Sequence, residues 1–135
     1  MRSEGELLAV DTNILVRLIA NDDASQGARS VALVRRKRIW ISKTVLLETE
    51  WVLRSLYKVS PASVSVAFRR VAGLPGASLE ESDAVAQALD WLDRGFDFAD
   101  ALHMASMGPA DRFATFDEEL ARRAKRLQAA DVLIA

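Results

Sequence analysis

Four acidic residues, Asp11, Glu48, Asp100 and Asp117, each close or interrupt an apolar run: Leu7-Leu8-Ala9-Val10-Asp11, Val45-Leu46-Leu47-Glu48, Phe98-Ala99-Asp100-Ala101-Leu102 and Phe113-Ala114-Thr115-Phe116-Asp117. A carboxylate next to apolar sequence needs a partner or a ligand to offset its desolvation. Two carboxylates about 5 Å apart repel by roughly 3 kcal/mol at an effective dielectric near 20, so a cluster of four must take up protons, disperse or bind a cation. An all-oxygen donor set without cysteine or a histidine pair suits Mg²⁺ or Mn²⁺ better than zinc. Such ions lower the pKa of a bound water and stabilise a leaving oxygen, which is the chemistry of phosphodiester hydrolysis.

The elements that must position these acids follow from apolar periodicity and turn signals. Leu7 to Val10 is a short continuous apolar run, as expected of a strand covered on both faces. Residues 13–20 carry Ile14, Leu15, Leu18 and Ile19 at helical spacing, and Asn21-Asp22-Asp23 makes a turn that caps a second helix over 24–36. Residues 39–41 form the second strand. A helix runs from Ser42 or Lys43 to about Tyr57, and another begins with Ser60 at N-cap and Pro61 at N1 and ends near Gly73. Residues 77–79 are a weak strand candidate. Ser82-Asp83 opens a helix closed by Gly95 at C′, and a further helix spans 98–107 until Gly108-Pro109 stops it. A strand at 112–115, a helix at 118–127 and a strand at 132–134 complete the chain.

Strands alternating with helices in this order predict a three-layer α/β/α sandwich around a parallel central sheet of four to five strands. At 135 residues and 50% hydrophobic content the chain suits one domain, residues 1–135, with 1–6 as a flexible N-terminal tail. In an open α/β sheet the site lies beyond the carboxyl ends of the strands. Asp11 and Asp117 directly follow two strands; Glu48 and Asp100 lie in the first half of helices whose N-termini face the same edge, so all four are expected on one rim. Glu48, three residues after Val45 and four before Val52, is expected on the buried stripe of its helix and Glu50 on the outer face. Asp100 repeats the pattern through Met104 and Met107. Asp11 and Asp117 also read as N-caps, and Asp100 as an acid placed at the positive end of a helix.

Composition sets further limits. The chain has no cysteine, which removes disulfides, thiolate metal sites and cysteine nucleophiles. With 18 Lys+Arg against 19 Asp+Glu, nucleic-acid affinity must come from local clustering such as Arg35-Arg36-Lys37-Arg38, Arg69-Arg70 or Arg122-Arg123, each of which also reads as a solvated helix end. No run reaches the ~18 apolar residues of a membrane span, and no signal-peptide core precedes Asp11, so a cytoplasmic location is expected. His103 reads as structural. Asp90 and Asp93 read as solvated, Asp97 as a minor contributor to the site, and Trp40, Trp51 and Trp91 as core or dimer contacts.

Val10-Asp11-Thr12-Asn13, the Glu48 helix with Trp51-Val52-Leu53 after it, Phe98-Ala99-Asp100-Ala101-Leu102 and Ala114-Thr115-Phe116-Asp117 resemble the successive motifs of PIN-domain nucleases. Within that superfamily the chain most resembles the VapC toxins of prokaryotic type II toxin–antitoxin modules, over about residues 7–134. The resemblance implies a metal-dependent endoribonuclease with Asp11, Glu48, Asp100 and Asp117 as the catalytic, metal-binding acids and Thr12, Asn13 and Thr115 as polar support. It also implies a homodimer, a cognate VapB antitoxin whose tail covers the site, and contact with promoter DNA only through that antitoxin. A haloacid-dehalogenase-like phosphatase would need a second Asp where Asn13 stands, and a receiver domain would need adjacent acids after the first strand and a lysine near Asp117. A non-catalytic partner of a DNA-binding antitoxin, as in the FitB-like branch, keeps the same acids and stays open.

Overall fold

A computed structural model describes residues 3–135, with side chains from residue 5 onward. The described residues form β1(Ser3–Ala9), α1(Thr12–Ala20), α2(Ala24–Arg36), β2(Lys37–Ile41), α3(Lys43–Ser55), α4(Pro61–Ala72), β3(Ala77–Leu79), α5(Ser82–Asp93), α6(Phe98–Ala105), β4(Phe113–Thr115), α7(Glu118–Arg126) and β5(Val132–Ile134). Every element the periodicity calls for is present in that order. β1 begins at Ser3, inside the stretch expected to be a tail; residues 1 and 2 lie outside the described residues.

All strand pairs are parallel, as alternation with helices requires. Their hydrogen bonds make a three-stranded sheet in the order β1-β2-β3 and a two-stranded pair β4-β5, a smaller sheet than the four to five strands expected. β3, β4 and β5 are three residues each, long enough for one short ladder apiece. β1 is not covered on both faces: Leu7 is 43% exposed and Ala9 is exposed, while Val10 just beyond the strand is buried. A register irregularity between Ser3 and Leu7 separates two stretches of its pairing with β2.

The chain forms two compact units, one reaching Ser82 and the other starting at Asp83. In the first, α1 packs against α2 and α3, and the buried side chains include Leu15, Val34, Ile39, Ile41, Leu46, Leu53, Val64 and Phe68. Helix starts are fixed by capping side chains: Asp11 for α1, Asp23 for α2, Ser42 for α3 and Ser60 for α4, the last with Pro61 in the first turn. In the second unit Val85, Leu89, Leu92, Phe96, Phe98, Leu102, Met104 and Leu120 are buried. No helix among the described residues is long and apolar enough to cross a membrane.

The α3 stripe is displaced from expectation by one residue. Leu46, Thr49, Glu50 and Leu53 are its buried positions, whereas Glu48 is exposed and Leu56 is 66% exposed. Both sets have helical spacing, so the apolar pattern alone did not decide between them. Glu50 is tolerated inside because Arg54, one turn on, donates from Nε to its Oε2 at 2.8 Å. The same rotation leaves Trp51 52% exposed. Truncating Leu53 to Ala is therefore expected to cost about 2–5 kcal/mol in denaturant unfolding, whereas Leu56→Ala changes stability by no more than about 0.5 kcal/mol.

Candidate active site

The first unit carries Asp11 and Glu48. The chain leaves β1 through Val10, whose N–H donates to the Trp40 carbonyl at 3.1 Å, and Asp11 then caps α1. Its Oδ1 accepts from the Ile14 N–H at 3.1 Å, which ties one carboxylate oxygen and leaves Oδ2 without a partner among the described residues. Thr12, at the first position of α1, donates from Oγ1 to Glu48 Oε1 at 2.5 Å. Glu48 is exposed rather than stripe-bound, and this hydrogen bond from α1, not burial, is what orients it.

Beyond Thr12 the α1–α2 hairpin holds a polar network. Gln26 Oε1 accepts from Arg17 Nε at 2.8 Å and from Asn13 Nδ2 at 3.4 Å. Arg17 also donates to Asp22 Oδ1 at 2.8 Å and to the Tyr57 hydroxyl at 3.1 Å, and that hydroxyl donates to Asp22 Oδ2 at 2.7 Å. The Tyr57 hydroxyl, and then the Arg17 guanidinium, hold the Asp22 carboxyl below the usual carboxylate range, and the same contacts hold the Arg17 pKa above its ordinary value.

The second unit carries Asp100 and Asp117. α5 ends in a Schellman motif: Gly95, at φ +100°, donates its N–H to Leu92, and Phe96 donates to Trp91. The rings of Trp91 and Phe96 meet across the turn in a tilted arrangement, centroids 6.2 Å apart and planes at 50°. The turn delivers Asp97 as the N-cap of α6, where its Oδ2 accepts from the Asp100 N–H at 3.1 Å. Asp100 is half-buried, Met104 on the same face is buried, and Met107 is half-buried, as the stripe predicts. Asp117 caps α7 through Oδ1, accepting from Leu120 N–H at 3.0 Å, and its own N–H donates to Thr115 Oγ1 at 3.0 Å.

Burial pushes the Asp100 carboxyl above its ordinary range, and the charges of Asp97 and then Asp117 push it further, with His103 acting in the opposite direction. Asp100 thus feels Asp97 and Asp117 as like charges, the condition a bound cation relieves. Among the described residues, no three Asp, Glu or His side chains stand close enough to enclose a metal ion. The donors nevertheless fit a hard divalent ion in kind: oxygen only, with an uncommitted oxygen on Asp11, Glu48 and Asp117.

Of the residues expected as polar support, Thr12 donates to Glu48, Thr115 accepts from the Asp117 N–H, and Asn13 donates to Gln26 rather than to an acid. Gln26 and Tyr57 are tied in only by tertiary hydrogen bonds and carry no local signal in the sequence. Asp97 has a larger part than expected, as the cap that also charges Asp100.

Two outcomes follow from this geometry. Asp11→Ala removes a cap and is expected to cost about 1 kcal/mol in thermal unfolding, whereas Asp11→Asn keeps the cap and the stability. Because the folded Asp22 pKa lies below its unfolded value, its stabilisation is present above the unfolded pKa, about 3.9, and is lost as pH falls through the folded value. Calorimetry should accordingly find Asp22→Asn melting below wild type at pH 7, with the gap closing as pH approaches 3.

Comparison with known proteins adds the family. A solved structure, Mycobacterium tuberculosis VapC20, described as a sarcin-ricin loop cleaving toxin, is 21% identical in sequence and matches over 87% of this chain and 94% of its own, with a TM-score of 0.40. No curated protein matches the sequence significantly. The family model for the PIN domain matches residues 8–131, which takes in all four acids and the elements that carry them. The chain belongs to the PIN-domain family, a family of nucleases.

Proposed function

We propose that the chain is a divalent-metal-dependent endoribonuclease acting as one PIN domain, the toxin of a VapBC-like type II toxin–antitoxin pair. The observation that carries this reading is the set of four carboxylates, Asp11, Glu48, Asp100 and Asp117, each at an N-cap or within the first two turns of a helix and lying inside the matched PIN segment. These carboxylates would hold a Mg²⁺ or Mn²⁺ ion, which when bound would supply a water of lowered pKa and charge neutralisation at the leaving oxygen. The chain's own residues do the positioning. Asp11 and Asp117 each spend one oxygen on a cap and keep the other for the ion, and Thr12 holds Glu48 by one oxygen for the same purpose. Asp100 accepts no hydrogen bond from the described residues and carries the raised pKa, which makes it the acid with most to gain from a cation.

The cognate partner in this reading is a VapB-like antitoxin, with the toxin a homodimer, RNA the substrate and promoter DNA reached only through the antitoxin. The FitB-like alternative is a non-catalytic partner of a DNA-binding antitoxin that keeps the same four acids. Cleavage of end-labelled RNA by antitoxin-free protein separates the two. The nuclease is expected to cut with Mg²⁺ or Mn²⁺, to stop in EDTA, and to lose at least ~100-fold in rate on Asp11→Asn or Asp100→Asn, leaving 5′-phosphate and 3′-hydroxyl ends. A folded, metal-binding protein that cuts no RNA in a broad panel is the outcome the non-catalytic reading requires.

A further inference from the structure

The α1–α2 hairpin encloses a cleft of about 360 Å³ that begins at Asn13, two residues from Asp11. Ile14 and Leu33 give it apolar lining, and Asn13, Arg17, Gln26, Arg29 and Ser30 give it polar lining. The volume is in the range of small-ligand pockets, ~300–1,000 Å³. From these groups we infer that the cleft is a subsite for one nucleotide of the RNA strand, with Arg29 on a phosphate and Gln26 and Asn13 on a base edge. The inference rests on the nuclease reading given above and adds to it a specificity-determining position.

Two features of the hydrogen bonding point to a ligand with nucleotide chemistry. Arg17 and Arg29 both line the cleft, but the Arg17 charge is consumed by Asp22, Tyr57 and Gln26. Arg29 is exposed and makes no ion pair or hydrogen bond with the described residues, so its planar fork is available to an anion. Arg17 is a pure donor, so its 2.8 Å contact fixes the Gln26 amide with oxygen inward. The Gln26 NH₂ is thereby left to donate outward, while Asn13, whose Nδ2 is directed at Gln26, keeps Oδ1 as an acceptor. A donor and an acceptor side by side over apolar walls match a base edge and face, and a guanidinium beside them matches the attached phosphate. An acidic peptide would use Arg29 but leave the amide pair and the Ile14–Leu33 walls unanswered.

The test uses a fluorescein-labelled 12-mer RNA of random sequence and protein carrying Asp11→Asn, so that binding is read without cleavage. Adding Arg29→Gln is expected to weaken binding about tenfold and to reduce the slope of log K against log salt by about 0.7, the share of one phosphate on a single strand. Arg29→Lys should restore the salt slope and only part of the affinity, because a point charge replaces a fork. In ¹⁵N-labelled protein the Gln26 side-chain amide signals should move when RNA is added. An unchanged affinity and salt slope in Arg29→Gln, while the parent binds RNA, overturns the subsite and leaves the nuclease reading intact. A folded parent that binds no RNA overturns both. Gln26 signals that respond to a glutamate-rich decapeptide but not to RNA would make the cleft a peptide site and overturn the inference.

Discussion

Carboxylate capping of helix starts is the interaction on which the candidate site of this chain depends. Asp11 in the first unit and Asp97 and Asp117 in the second stand at helix N-caps, and Asp100 lies in a first turn. There the free backbone N–H groups and the helix dipole offset part of the negative charge. Capping uses one oxygen and leaves the other, so the interaction that stabilises the helix also presents a ligand atom. Asp100 shows the limit of the device: partly buried, with Asp97 and Asp117 acting on it, it is the acid driven toward its protonated form.

Glu48 is held by a different means. It lies in the second turn of α3, beyond reach of the helix N-terminus, and Thr12 from α1 fixes it. That contact depends on how α1 sits against α3, which in turn depends on the Leu15, Leu46 and Leu53 core. α1 therefore serves three purposes at once: its cap is Asp11, its first residue orients Glu48, and its next turns, with Asn13 and Arg17, form one wall of the cleft toward α2.

The order and type of the elements were legible in the sequence because each has its own punctuation: Ser60-Pro61 opening α4, Gly95 closing α5, Asp23 capping α2. Local signals also announced the acids, since an Asp after an apolar run reads as a cap and, in the ordered set, as the PIN motifs. What the sequence could not decide was rotation and reach. Val45, Glu48 and Val52 make as good a helical stripe as Leu46, Thr49 and Leu53, and only the packed structure selects the second. The burial of Glu50 beside Arg54 and the locking of Gln26 by Arg17 are tertiary outcomes with no signature in spacing. Strand coverage was misread for a similar reason: a run such as Leu7 to Val10 does not state how many neighbours its strand will have.

The proposed function rests on divalent-metal binding by Asp11, Glu48, Asp100 and Asp117. Its most direct test is Mn²⁺ binding, followed by calorimetry and by the ion's paramagnetic signal, in wild type, Glu48→Gln and Asp117→Asn. If the four carboxylates act together, each substitution alone lowers Mn²⁺ affinity at least about tenfold and leaves the fold unchanged. Wild-type affinity in either variant, or two independent weak sites of which each substitution removes only one, would contradict the account.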